Sequence, residues 1–215
     1  MLLTSPITYL LTLALTAPTM TYATKTTTVP PFNLSSPAGT DIWRKPPSRD
    51  VFSAPTHPAP LPKYPLSSFQ RARLTFTLPS QSALRQYDQA GLLLHFTKPG
   101  QKDKWLKTGI EFYYGKPYIS TVGTDQWSDW SVVPLQEAGD RPSATVEARR
   151  EKDALGKSLW VYQIVRDGEG KEVERQPLRE VNWVFAEEEG WEVGVGGYVA
   201  RPTVEGGEGE LEAEF

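Results

Sequence analysis

Between Gly91 and Thr124 the chain carries three consecutive segments in period-two register, and no other stretch restricts the fold as tightly. Gly91-Leu92-Leu93-Leu94-His95-Phe96 ends at the turn residues Lys98 to Asp103. Trp105 to Tyr114 follows, and the pair Gly115-Lys116 reverses the chain into Pro117 to Thr124. Alternation of apolar and polar residues places one strand face on a core and turns the other outward. Strand-like runs continue on both sides. Ser68 to Thr77 and Ser128 to Val133 flank the block. Ala144 to Arg150 and Ser158 to Arg166 form a hairpin across Asp153-Ala154-Leu155-Gly156. Glu180 to Phe185 and Trp191 to Ala200 follow, separated by a solvated Glu187-Glu188-Glu189-Gly190 loop. Glu210 to Phe215 alternates throughout and reads as a half-buried strand with an acidic outer stripe of Glu210, Glu212 and Glu214. This many short strands means an all-β sandwich or barrel.

Requiring apolar residues to share a face gives a register. Phe96 is expected opposite Leu106, Leu94 opposite Thr108 and Leu92 opposite Ile110. A two-residue turn at Gly115-Lys116 then pairs Phe112 with Ile119 and Ile110 with Thr121. The opposite face gathers His95 beside Lys107, Gly91 and Ser120 around Glu111, and Tyr113 beside Tyr118. At ~3.3 Å per residue Lys107 and Glu111 lie about 13 Å apart, too far for an ion pair with each other. That face is expected to be wet.

The first sixty-odd residues differ. Most of the 19 prolines precede Leu66, and proline removes a backbone donor and restricts its predecessor. Residues 1–31 read as an apolar and then disordered extension. Residues 32–65 read as an extended Pro-rich segment lying on a single domain spanning 32–215, with Ile42, Trp43, Val51 and Phe52 as anchors. The apolar run Tyr9 to Leu15, bracketed by Pro6 and Pro18 with no Lys or Arg before it, is too short to cross a membrane. It is expected to be a dispensable leader, with Met20 as a possible start. The alternative is a signal peptide, which would make the protein secreted and the sequon Asn33-Leu34-Ser35 relevant.

Composition narrows the chemistry. A net charge of -3 gives no electrostatic reason for a nucleic-acid partner. With no cysteine and two histidines, neither a metal centre, a cofactor nor a nucleophilic dyad is expected. Sandwich glucanases supply paired carboxylates from one strand face as Glu-x-Asp-x-x-Glu. That string is absent, and Glu147 to Asp153 has the wrong spacing.

Tyr87 to Leu92, Trp105 to Phe112 and Ser128-Asp129-Trp130-Ser131 resemble the domain-of-unknown-function family typified by the fungal regulation-of-enolase protein. Asn33 to Thr56, with Gly39-Thr40-Asp41-Ile42-Trp43, and Arg179 to Phe185 resemble its fungal branch. The resemblance implies a concanavalin A-like β-sandwich of jelly-roll type. It also implies a cytoplasmic protein that regulates a glycolytic enzyme by binding, without catalytic residues. The candidate binding residues are His95, Lys107, Glu111, Tyr113, Tyr118 and Ser120 on the polar face, with Trp127 and Asp129 in the following cluster. The alternative is a carbohydrate-binding module on the same face. Solvated sheet is the plain reading of the polar face, and for Trp127 and Asp129 the plain reading is a tryptophan capping the core with the aspartate satisfying turn amides.

Overall fold

The period-two patterns become strands in two stacked sheets. The structure is a computed structural model in which residues 25–136 and 138–215 are described, so the expectations for residues 1–24 lie outside them. Lys25 to Pro30 are exposed and carry no regular structure. Pro31–Phe215 fold as one unit. Its first strands are β1 (Asn33–Ser36), β2 (Ile42–Lys45), β3 (Arg49–Phe52), β4 (Thr56–His57) and β5 (Lys63–Pro65). Next come β6 (Arg71–Thr77), β7 (Gln89–Thr97), β8 (Lys104–Tyr113), β9 (Lys116–Thr124) and β10 (Ser128–Pro134). The last are β11 (Ser143–Asp153), β12 (Gly156–Arg166), β13 (Glu172–Val181), β14 (Glu192–Ala200) and β15 (Leu211–Glu214).

One sheet has six strands in the order β1-β15-β6-β11-β12-β13. The other has seven, β10-β9-β8-β7-β14-β4 with β5 also on β14, and β2-β3 forms a separate two-stranded ribbon. All the strand pairings are antiparallel. Between the large sheets Leu92, Leu94, Leu106, Ile110 and Ile119 meet Phe76, Val146, Val161 and Leu211, all buried. Thr108 and Thr121 share this dry layer, and their hydroxyls bond each other at 3.0 Å, so neither is left unpaired.

Both central hairpins are displaced by two residues from the expected pairing. Leu94 faces Leu106 and Leu92 faces Thr108. Ile110 faces Ile119 and Phe112 faces Pro117. The turn is Tyr114-Gly115, with φ of 48° and 72°, rather than Gly115-Lys116. Two consecutive left-handed residues make the turn whose twist suits a two-residue hairpin. Because the pleat repeats every two residues, a slip of two leaves each side chain on its expected face.

The larger correction concerns residues 32–65, which do not merely lie along the domain as an extended segment. They supply five strands, and the ribbon β2-β3 covers part of the outer face of the seven-stranded sheet. Ile42 and Ala54 pack there on Leu93, Trp105, Tyr198 and Ala200. Arg44, 3% exposed, lies 4.4 Å over the Trp105 ring and donates to the Asp103 carbonyl. Of the expected anchors Ile42 is fully buried, Trp43 and Val51 are half-buried and Phe52 is 40% exposed. Two smaller expectations also fail. Trp183, Val184 and Phe185 lie in turns after β13, where Val184 and Phe185 plug the core. Glu188 is not simply solvated, since Arg150 and Lys157 both bind it.

Candidate functional site

Register arranges the outer face of the seven-stranded sheet in rows across β9, β8, β7 and β14. One row reads Val122, Lys107, Leu93, Gly196. The next reads Ser120, Gly109, Gly91, Tyr198, and the third Tyr118, Glu111, Gln89, Ala200. With glycines in the middle row, the Lys107 stem can cross it, and Nζ donates to Gln89 Oε1 at 2.7 Å. The Tyr198 hydroxyl donates to the same oxygen at 3.3 Å. Asp41, just before the ribbon, places Oδ1 3.6 Å from Nζ. Ser120 donates to Glu111 Oε2 at 2.7 Å, and Trp130 Nε1 donates to the Ser120 hydroxyl at 3.0 Å.

This half of the face is dry, contrary to expectation: Lys107 is 3% exposed, Glu111 5% and Ser120 4%. Burial pushes the Lys107 ammonium down, while the Asp41 and Glu111 charges oppose it. Burial pushes the Glu111 carboxyl up, against Lys107 and the Ser120 hydrogen bond. Such a network under a ribbon holds the cover in register and offers no approach to a substrate.

The other half is open. Tyr113, last on β8, is the hub of an aromatic end. Its ring centroid lies 4.4 Å from Tyr114, 5.1 Å from Trp130, 5.7 Å from Tyr87 and 6.2 Å from Tyr118. Tyr114 is 78% exposed and Tyr87 40%. Among the described residues Tyr87 and Tyr114 are the two non-glycine residues with positive φ. Left-handed backbone at a bulky residue is unfavourable and concentrates at working sites.

The eight candidate residues therefore separate. Lys107, Glu111 and Ser120 form the covered network, and Tyr113 and Tyr118 belong to the aromatic end. His95 bonds Asp103 at 2.9 Å and stacks near Phe52, bordering a cleft of about 360 Å³ beside the ribbon. Burial holds its imidazole below the usual range despite Asp103. Trp127 sits in the turn before β10 with Lys102 over its ring. Asp129 does not join Trp127 or the polar face: its carboxylate takes Arg179 of β13 at 2.5 Å. Tyr87, Tyr114, Gln89, Asp41 and Tyr198 were missed. The signal for Tyr114 was its place before Gly115, where a hairpin turn usually has Asn or Asp. Asp41 and Tyr198 arrive from distant sequence and left no local trace.

Over residues 21–213 the sequence matches the family described as a protein of unknown function (DUF1349). The chain belongs to that family. A relative, an uncharacterised protein of Emericella nidulans, is 42% identical over 177 residues, covering 82% of this chain and 80% of the relative. A functionally unknown protein from Saccharomyces cerevisiae, known as a crystal structure, shares the fold. It superposes with a TM-score of 0.58 at 18% identity, over 86% of this chain and 84% of that one. This DUF1349 member is a β-sandwich, a fold it shares with the yeast protein.

Proposed function

We propose that this protein is a non-enzymatic regulator that docks on another protein through the aromatic end of the seven-stranded sheet. The partner is a glycolytic enzyme, enolase being the one implied by the family resemblance. The observation carrying this reading is the Tyr113 hub, with four further rings around it on a rigid sheet end. Tyrosine and tryptophan supply large contact area with few torsions to freeze, and their polar tips satisfy a partner's hydrogen-bonding groups. The buried Lys107–Glu111 network supports the reading indirectly by stiffening the sheet beneath.

The test is co-purification from extract of the native host. Wild-type protein should retain enolase, identified by mass spectrometry, and Tyr113→Ala should not, at an unchanged melting temperature. Retention of enolase by Tyr113→Ala, or its absence from the wild-type eluate, would count against the reading.

A further inference from the structure

The six-stranded sheet has an outer face of its own, built by residues to which the docking role assigns nothing. Register across β6, β11, β12 and β13 places Arg73, Glu147, Tyr162 and Pro177 in one row. The next row holds Arg71, Arg149, Trp160 and Glu180. Trp160 and Tyr162 are two positions apart on β12, so both project outward. Their rings lie nearly parallel, 6.0 Å apart at 18°, and both are half-buried. Among the described residues neither the indole N–H nor the phenol hydroxyl bonds to the protein.

The surroundings are rigid and polar. Arg73 Nη2 meets Glu147 Oε2 at 2.7 Å, and its Nη1 meets Glu172 Oε2 at 2.8 Å. Arg175 Nη2 lies 3.1 Å from Glu172 Oε1, while its Nε, 3.3 Å from Glu147 Oε1, makes no hydrogen bond to it, and its guanidinium lies 5.8 Å from the Tyr162 ring centroid. Glu147 is fully covered by these arginines, although it stands on the outward side of the sheet. Glu147 is therefore closed to a ligand, and the edges left partly open are those of Arg73, Arg175 and Glu172, whose ion pairs leave them little conformational entropy to lose.

We infer that this face is a glycan-binding site, taking a neutral oligosaccharide along β12 with its sugar rings on Trp160 and Tyr162. A pyranose has an apolar C–H face, which suits an aromatic ring, and a rim of hydroxyls, which suits paired guanidinium and carboxylate edges. The alternating arginines and glutamates cancel much of one another's charge, favouring an uncharged ligand over an anion. Ile164, the next outward residue on β12, is 4% exposed and closed over, so no apolar pocket is open to a peptide anchor.

Native affinity electrophoresis of the full chain tests this with laminarin, xylan, mannan and glycol chitin in the gel. The wild type should be retarded by at least one of them. Trp160→Ala and Tyr162→Ala should each weaken that retardation at least tenfold, and Trp160→Phe should keep most of it. Tyr113→Ala, on the other sheet, should leave it unchanged, which separates this site from the protein-docking surface. No retardation in any of the four gels overturns the inference. So does retardation that survives in the Trp160→Ala/Tyr162→Ala double variant, or that disappears with Tyr113→Ala alone.

Discussion

Gly91 and Gly109 face each other across β7 and β8 so closely that a Cβ built on either would lie 2.6 Å from the other's Cα. The nearest atoms are backbone: Thr108 O at 2.2 Å from Gly91's added Cβ and Ala90 O at 2.1 Å from that of Gly109. Backbone in the middle of a sheet has no room to yield. Gly109→Ala is expected to cost at least about 3 kcal/mol, more than ordinary overpacking, because strands rather than side chains must part. Urea unfolding would measure it. A cost below about 1 kcal/mol would mean that the two strands are less tightly seated than described.

Lys107→Met tests the covered network. The methionine fills much of the stem's space, but Glu111 and Asp41 lose their buried counter-charge and Gln89 loses a donor. Removing one partner of a buried charged set typically costs ~3–5 kcal/mol. A loss of that size in chemical denaturation is expected, against a near-neutral result had the face been wet.

Acid stability should depend on Glu188. Burial alone would raise its carboxyl, but hydrogen bonds from Arg150 and Lys157 outweigh this and hold it below the usual range. A lowered folded value adds stability that is present at neutral pH and disappears as pH falls through that value. The stability gap between wild type and Glu188→Gln should therefore be widest near neutrality and narrow below about pH 4.3, the ordinary glutamate value. Glu111, shifted the opposite way, is more costly to the fold when ionised, so its contribution improves on acidification and is common to both proteins. A gap that stays constant with pH would contradict the assignment to Glu188.

What could be read from sequence was whatever repeats locally. The alternation in Ile110-Glu111-Phe112 and Tyr118-Ile119-Ser120 put each residue on its proper face, and the acidic stripe of β15 followed from Glu212 and Glu214 alone. The expected register differs by two because alternation is indifferent to such a slip, and a tyrosine is an unusual occupant of the left-handed turn position that Tyr114 takes. Burial of Lys107 was out of reach because Asp41 meets it from a Pro-rich stretch with no periodic signal, and that of Glu111 because Ser120 and Trp130 join it only through strand pairing. The aromatic end was half legible. Tyr113 and Tyr118 share the face by alternation, whereas Tyr87 joins them only through the fold.

The central claim is that the aromatic end is kept for binding at some expense to the fold, and Tyr114→Asn tests it most directly. Asparagine tolerates the left-handed backbone that Tyr114 adopts at φ 48°. The substitution should stabilise the protein by ~0.5–1 kcal/mol, a rise in melting temperature of about 1–4 °C. It also deletes a ring that is 78% exposed beside Tyr113. Titration of purified enolase from the native host against both proteins should then show a more stable variant whose Kd is weaker by about tenfold or more, the cost of an aromatic anchor. A Tyr114→Asn protein that is more stable and binds enolase as tightly as the wild type would contradict the claim.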